Sequence, residues 1–150
     1  MKRNQLFISY SHRDTRHLKE FQPHLKFLEA RGLVSFWDDQ KIAPGADWRK
    51  EIEQALARTR VAIVLVSADF LVSDFINEQE LPVLLEAAHR GEVRVFPIIV
   101  GSCLFFQSPL SAFQALNDPT APLDALKRSE RENVWTRVAA QLASFLKEEK

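Results

Sequence analysis

The feature that most constrains the fold is an unbroken run of six apolar residues near the middle of the chain, Val61-Ala62-Ile63-Val64-Leu65-Val66. A strand with this pattern is apolar on both faces, which is typical of the interior of a parallel sheet that helices cover on both sides. Neighbouring parallel strands are joined by crossover connections that usually contain a helix. The run therefore predicts an α/β fold in which strands and helices alternate.

Strand-like and helix-like segments do alternate along the chain. Short apolar segments typical of strands lie at residues 6–9, 34–37, 61–66 and 93–100. Apolar residues at helical spacing lie within 18–28, 48–58, 74–89 and 129–147. This order predicts a flavodoxin-like, three-layer α/β/α domain with a central parallel sheet of order 2-1-3-4 and room for a fifth short strand. We expect a single domain over residues 1–150, which could occur as a module of a longer protein.

Three prolines predict irregularities in these elements. Pro23 lies inside the first helical segment, where we expect it to kink the helix or to delay its start. Pro82 lies inside the third helical segment and predicts a second irregularity there. Pro97 lies inside the last strand, which predicts an edge position or a bulge, because proline cannot donate a hydrogen bond to a neighbouring strand.

The composition excludes several classes of partner and compartment. Lysine plus arginine and aspartate plus glutamate both number 20, so the net charge is zero and nothing favours nucleic acid or an anionic membrane. A single cysteine, Cys103, excludes an intrachain disulfide and fits a reducing compartment. The amino terminus has no apolar signal region and the longest apolar runs are strand-sized, so we expect a cytoplasmic protein.

Polar residues that follow the strands predict where a ligand would bind. In open parallel sheets, ligands bind beyond the carboxyl ends of the strands, where the strand order reverses. The first strand leads into residues 9–14, the second into 37–47 and the third into 67–70. The helical segment after the third strand starts on the same rim and brings Glu78 and Glu80 within possible reach. These segments together predict one cleft.

Several familiar chemistries are missing from this rim. The chain has four glycines and no glycine-rich phosphate loop, no Gly-x-Ser-x-Gly elbow and no histidine spacing typical of a metal site. A phosphoacceptor receiver of the same fold would need an acidic pair after the first strand and an aspartate ending the third. This chain has Ser9-Tyr10 and Ser67 there instead. What remains is a lone carboxylate in a cleft lined by aromatic residues.

Four segments, in order and at characteristic spacing, identify a family. They are Phe7-Ile8-Ser9-Tyr10-Ser11; Phe36-Trp37-Asp38-Asp39 with Ile42-Ala43-Pro44-Gly45 and Trp48; Ile63-Val64-Leu65-Val66-Ser67 with Phe70, Ser73-Asp74-Phe75 and Glu80-Leu81; and Phe96-Pro97-Ile98-Ile99. Over residues 5–146 the chain thereby resembles a Toll/interleukin-1 receptor (TIR) domain of the bacterial type. The second segment resembles the family's BB loop, and the third resembles the stretch that leads into its helix C.

The resemblance implies an NAD+ hydrolase that releases nicotinamide and ADP-ribose or a cyclic isomer, with NAD+ as the substrate and with no cofactor and no metal. It implies that Glu80, which precedes Leu81 as in the family pattern, is the catalytic glutamate. The stretch from Phe75 to Glu80 is one residue longer than in many relatives, so Glu78 stays as the alternate. One carboxylate suffices for this chemistry, because nicotinamide leaves as a neutral base and the transition state resembles an oxocarbenium ion.

The resemblance also implies substrate contacts from the loops around the cleft. The candidate substrate-binding residues are Ser9, Tyr10, Ser11, His12, Trp37, Asp38, Ile42, Gly45, Trp48 and Ser67. Structural alternatives stay open for them: the serines can form turn hydrogen bonds, the imidazole can lie on the surface, and the tryptophans can pack in the core or anchor a loop. Trp135, in the last helix, is expected in the core or at a partner contact.

A second function stays open beside the enzymatic one. Some members of the family only bind other TIR domains, so the chain could be a non-catalytic interaction module in signal transduction. In both cases the resemblance implies self-association, as a homo-oligomer or a filament on activation, and zero net charge does not oppose it. A role in bacterial immunity, including antiviral defence, is implied by the resemblance alone.

Overall fold

The computed structural model describes residues 5–37 and 45–148. Its centre is a parallel sheet in the order β2-β1-β3-β4, formed by β1 (Gln5–Ser9), β2 (Ser35–Trp37), β3 (Thr59–Val66) and β4 (Arg94–Ile99). β3 pairs with β1 on one side and with β4 on the other. The sheet order and direction confirm the flavodoxin-like prediction. The described segment after β4 forms short 3-10 turns rather than a fifth strand.

The helices lie on both faces of the sheet. They are α1 (Thr15–Ala30), α2 (Trp48–Ala57), α3 (Ala68–Val72), α4 (Leu81–His89) and α5 (Arg128–Glu148). A π-helical turn, Ile76–Glu80, leads directly into α4. None of the described helices is both long and apolar enough to span a membrane.

Side chains that alternate along β3 divide the core into two layers. Val61, Ile63 and Leu65 pack with residues of α1 and α5, whereas Ala62 and Val64 pack with residues of α2 and α4. All five side chains are fully buried. Because neither face of the strand meets water, a helix layer is required on each side of it.

α1 is not delayed by its proline. The helix begins at Thr15 and continues through Pro23 to Ala30, so the expected late start is wrong. Pro23 lies on the exposed side, while Phe21 and Leu25 on either side of it are fully buried against the sheet. Burial of such side chains contributes about 1.5–3 kcal/mol each, which offsets the roughly 3 kcal/mol cost of an interior proline.

β4 is an edge strand of the described sheet, as Pro97 predicted. The missing amide hydrogen of Pro97 therefore costs no strand pairing. The backbone amide of Leu116 donates to the Pro97 carbonyl at 2.8 Å. Beside it, the Asn117 side chain accepts from the Ile99 amide at 2.8 Å and donates to the Ile99 carbonyl at 2.9 Å. These bonds cover the carboxyl-terminal half of the edge.

A buried polar cluster joins the carboxyl ends of β1 and β3. Ser67 Oγ donates to Asp14 Oδ2 at 2.5 Å and accepts from the Phe70 amide at 3.0 Å, which caps α3. Asp14 is 6% exposed, and this burial is the main cause that raises the pKa of its carboxyl above the ordinary value of 3.8. Nearby, His17 Nε2 lies 2.9 Å from Asp124 Oδ1. The cluster ties α1 to the start of α3.

Replacement of Trp135 tests the α1–α5 layer. Trp135 is fully buried and stacks on Phe21 with ring centroids 4.6 Å apart, so it is a core residue. We expect Trp135→Ala to lower the free energy of unfolding by about 3–5 kcal/mol in urea denaturation, since it opens a large cavity. Trp48→Ala, at a 43% exposed position, is the matched control and should cost about 1 kcal/mol. Equal losses would contradict this assignment.

Replacement of Asp14 tests the buried carboxyl. Because its pKa is raised on folding, the unfolded chain releases this proton first, and the free energy of unfolding should fall as pH rises from about 3.8 through the folded-state pKa. We expect Asp14→Asn to lack this decrease in urea titrations from about pH 3.5 to about pH 7. Asp118→Asn is the control, because exposed Asp118 has a lowered pKa and its loss leaves the decrease in place. An unchanged slope in Asp14→Asn would refute the assignment.

Candidate active site

A buried hydrogen bond joins the end of β1 to the segment before α4. Ser9 Oγ donates to Glu80 Oε1 at 2.7 Å across 71 positions of the chain. Ser9 is 1% exposed and Glu80 is 2% exposed. A carboxyl group is costly to bury unless it is hydrogen-bonded, so Ser9 stabilises the position of Glu80. The bond lies at the carboxyl edge of the sheet, where the sequence predicts a site.

Glu80 belongs to a π-helical turn rather than to a regular α-helix. In this turn the amide of Leu81 donates to the carbonyl of Ile76, five residues earlier. A π turn holds one residue more than an α-helical turn and is frequently found at functional sites. Here it lies directly before α4.

One of the two glutamates in this turn faces the protein interior. Three residues of this segment are almost fully buried: Ile76 and Glu80 at 2% exposure and Leu81 at 7%. Glu78, by contrast, is exposed. Residues five apart lie almost above one another in a π turn, so Ile76 and Leu81 both reach the core with Glu80 beside them. Glu80, and not Glu78, is thus the glutamate that meets Ser9.

An open cavity of about 380 Å³ lies at the same edge of the sheet. Its lining residues are Tyr10, Ser11, His12, Arg13, Trp48, Ser73, Phe75 and Ile76. The volume falls within the range of roughly 300–1,000 Å³ that is usual for small-molecule sites. Glu80 does not line the cavity, although Tyr10 follows its partner Ser9 and Ile76 begins its own turn.

Two aromatic rings form one wall of the cavity. Trp48 contacts Phe75 edge to face, with ring centroids 4.6 Å apart. Trp48 is the first residue of α2, and the side chain of Asp47 caps that helix by accepting from the Lys50 amide at 3.3 Å. Because 43% of Trp48 stays exposed, its ring offers a surface on which a flat base can stack.

The cavity lining also includes two basic residues. His12 and Arg13 lie exposed in a 3-10 turn that begins directly after Ser11, whose hydroxyl accepts from the Arg13 amide at 3.3 Å. The ring of His12 lies 5.6 Å from that of Tyr10. A guanidinium group in such a lining can bind phosphate through two parallel hydrogen bonds.

Neither the cysteine nor a metal site offers an alternative reactive group in the described residues. Burial raises the pKa of the Cys103 thiol above 9.0, which leaves it protonated and poorly nucleophilic near neutral pH. Within residues 5–37 and 45–148, no group of three histidine, cysteine or acidic side chains is arranged to hold a metal ion. The buried carboxylate of Glu80 is therefore the candidate catalytic group near the cavity.

The structure brings together most of the described candidates. Tyr10, Ser11, His12 and Trp48 line the cavity, and Ser9 holds Glu80. Ser67 does not line the cavity, because its hydroxyl is bound to Asp14 and to the start of α3.

The structure does not describe the side chains of three candidates from the second strand and its loop. Asp38, Ile42 and the side chain of Trp37 lie outside the described residues. Gly45, the first described residue after that gap, is exposed and has a φ of +83°, a conformation that favours glycine.

Sequence reasoning missed four cavity residues, Arg13, Ser73, Phe75 and Ile76. Arg13 follows His12 directly after the first strand, so its position was a usable signal. Ser73 and Phe75 come close to Trp48 only through the packing of the π turn against α2.

Sequence comparison finds relatives among longer proteins. The chain is 30% identical to an uncharacterized protein, y4lF, of Sinorhizobium fredii over 79% of this chain and 36% of that protein. It is 30% identical to the NAD(+) hydrolase PdTIR of Paracoccus denitrificans over 63% of this chain and 31% of the relative. It is 29% identical to the probable 2' cyclic ADP-D-ribose synthase TcpO of Methanobrevibacter olleyae over 65% and 28%, respectively. The chain thus spans about a third of the length of these relatives.

Structural comparison and the family model agree. The fold is similar to that of the TIR domain of the Toll-related receptor TRR-2 from Hydra magnipapillata, with a TM-score of 0.58 and 15% identity over 91% of this chain and 96% of that one. The family model of the TIR domain matches residues 6–143, which include the strand ends, the cavity and Glu80. This chain therefore belongs to the TIR domain family.

Proposed function

We propose that this TIR domain is an NAD+ hydrolase that cleaves the bond between nicotinamide and ribose. The observation that carries the proposal is the buried hydrogen bond from Ser9 to Glu80, which holds one carboxylate at the carboxyl edge of the sheet, where the cavity also lies. Two relatives near 30% identity support it, since one is named an NAD(+) hydrolase and the other a probable 2' cyclic ADP-D-ribose synthase.

A single carboxylate can promote this reaction. When the glycosidic bond breaks, nicotinamide takes the bonding electron pair and leaves as a neutral base, so no general acid is needed. Positive charge develops on the ribose, and the negative charge of Glu80 stabilises it at short range. Water, or an atom of the ADP-ribose itself, then adds to the ribose carbon and loses a proton, which gives ADP-ribose or a cyclic isomer.

The cavity residues suit the other parts of the substrate. The exposed part of the Trp48 ring, which packs against Phe75, is available for stacking with a flat base. Arg13, which also lines the cavity, is suited to the pyrophosphate because guanidinium groups bind phosphate oxygens in pairs. The hydroxyl of Ser11 and the imidazole of His12 can donate to ribose or phosphate oxygens. NAD+ is a substrate in this scheme and not a recycled cofactor.

Catalysis requires that the carboxylate become accessible. At 2% exposure, Glu80 can touch a ribose only after neighbouring side chains move. We assign this movement to self-association with further copies of the domain, by which TIR domains are expected to complete their sites. The described form then corresponds to a resting state in which Ser9 holds the carboxylate in place.

The proposal predicts different consequences for two nearby glutamates. We expect wild-type protein to release nicotinamide from NAD+, measured by chromatography at high protein concentration or with a crowding agent. Glu80→Gln should lower kcat by at least about a hundred-fold, because the charge that stabilises the transition state is lost. Glu78→Gln, an exposed glutamate two positions away, is the matched control and should keep wild-type activity. An inert wild-type protein under all these conditions, or an active Glu80→Gln variant, would refute the proposal.

The basic part of the cavity lining gives a second prediction. Arg13→Gln removes a charged hydrogen-bond donor from the cavity, so we expect KM for NAD+ to rise about ten-fold, which corresponds to about 1.4 kcal/mol. The value of kcat should change little, because the guanidinium is not next to the breaking bond. Arg31→Gln is the control, since Arg31 lies beyond the last residue of α1, over the Phe27 ring. Equal KM values for the two variants would exclude Arg13 from substrate binding.

A second candidate function is a non-catalytic interaction module. The burial of Glu80, and its absence from the cavity lining, favour this alternative. Sedimentation velocity run beside the nicotinamide assay separates the two candidates. Assembly with no nicotinamide release at any concentration would support the module, whereas release that increases with assembly would support the enzyme.

A further inference from the structure

We propose that Asn77 is a positioning residue for Glu80, and that its side-chain amide locks the π turn in the form that places the carboxylate against Ser9. This inference rests on the proposed NAD+ hydrolase function and deepens it. Asn77 does not line the cavity, so it would act through the geometry of the turn and not through the substrate.

The amide of Asn77 connects the π turn to the end of α3. Its Nδ2 donates to the Leu71 carbonyl at 3.0 Å and to the Ser73 carbonyl at 2.9 Å. Ser73 has extended backbone angles, with φ −69° and ψ 117°, so the chain leaves helical geometry there. Carbonyl groups at a helix end lack partners within the helix. Asn77 therefore satisfies two carbonyls across the break between α3 and the turn.

The backbone strengthens this connection. The Asn77 amide donates to the Ser73 carbonyl at 3.0 Å, and the Ile76 amide donates to Ser73 Oγ at 3.3 Å. These bonds fix the amino-terminal end of the π turn. Its carboxyl-terminal end is fixed by burial of Leu81 and Leu84 in the core. The turn is thus held between a hydrogen-bonded end and a packed end.

A regular α-helix is the competing conformation. In it, the Leu81 amide would bond to the Asn77 carbonyl in place of the Ile76 carbonyl, and the turn would tighten. Ile76 and Leu81 would then no longer lie one above the other, and Glu80 would rotate relative to the core. Because π turns are rare in isolation, the bonds made by Asn77 supply part of the bias toward the wide form.

Steady-state kinetics of Asn77→Ala tests the proposal. We expect kcat for nicotinamide release to fall between about ten-fold and a hundred-fold, since displacement of a reacting group by about 1 Å can cost that much. KM should change less than kcat, because the cavity residues Ser11, Arg13 and Trp48 lie outside the π turn. A merely structural role would lower the folded fraction and leave the kcat of the folded protein intact.

Asn117→Ala is the matched control. Asn117 also bridges two backbone groups with one amide, those of Ile99, but it lies beside edge strand β4 and outside the cavity. At 5% exposure it should lose at least as much stability as Asn77→Ala. We expect it to keep the wild-type kcat. An equal loss of kcat in the two variants would overturn the positioning role.

Two further variants separate hydrogen bonding from shape. Asn77→Ser retains a donor that can reach the Ser73 carbonyl four residues earlier, so it should recover part of the lost kcat. Asn77→Asp keeps the shape but presents an oxygen to both carbonyls, so it should recover nothing. If Asn77→Ala does not fold, this pair supplies the comparison, and equal kcat values for Ser and Asp would overturn the proposal.

A spectroscopic readout keeps the inference independent of turnover. In protein labelled with 13C at glutamate carboxyl carbons, the Glu80 signal is assigned by its loss in Glu80→Gln. We expect Asn77→Ala to move this signal toward those of exposed glutamates, and Asn117→Ala to leave it in place. A moved signal in a protein that releases no nicotinamide would refute the hydrolase proposal but support the positioning role. A signal that does not move in Asn77→Ala would overturn that role.

Discussion

The structure depends on the burial of β3 on both faces. Because Val61–Val66 meets no water, helices must cover both sides of the sheet, and polar side chains are left for the strand ends. The switch in strand order between β1 and β3 then concentrates Ser9, Ser67 and the segments after them at one edge. The location of the candidate site follows from the burial of one strand.

The segment after β3 has to meet two demands that conflict. Its apolar residues Ile76 and Leu81 belong in the core, while Glu80 between them has to reach a hydroxyl on another strand. A regular α-helix would place residues five apart on different sides, and the π turn removes that difference. The π turn therefore lets the core packing of Ile76 and Leu81 coexist with the placement of the Glu80 carboxylate.

Sequence patterns predicted those site residues whose position follows from strand direction. Tyr10, Ser11 and His12 come directly after β1, so they reach the carboxyl edge whatever the surrounding loops do. Ser67 also follows a strand directly, but its hydroxyl is bound to Asp14, and no local pattern shows a hydrogen bond between segments 53 positions apart. The sequence near a strand determines which of its residues face each side of the sheet and where the strand ends. The hydrogen-bond partner of a buried polar group depends on distant segments.

By itself, the sequence determined the α/β class, the strand order and membership of the TIR family, and it restricted β4 to an edge position or a bulge, because periodicity and motif spacing are local features of the chain. Only the tertiary structure showed that Glu80 is buried against Ser9 while Glu78 is exposed, kept α1 continuous through Pro23 and added Arg13 to the cavity. Each of these three features depends on packing between segments that are far apart in the sequence. A helix tolerates a proline, or widens by one residue, when the packing of its neighbours outweighs the local cost.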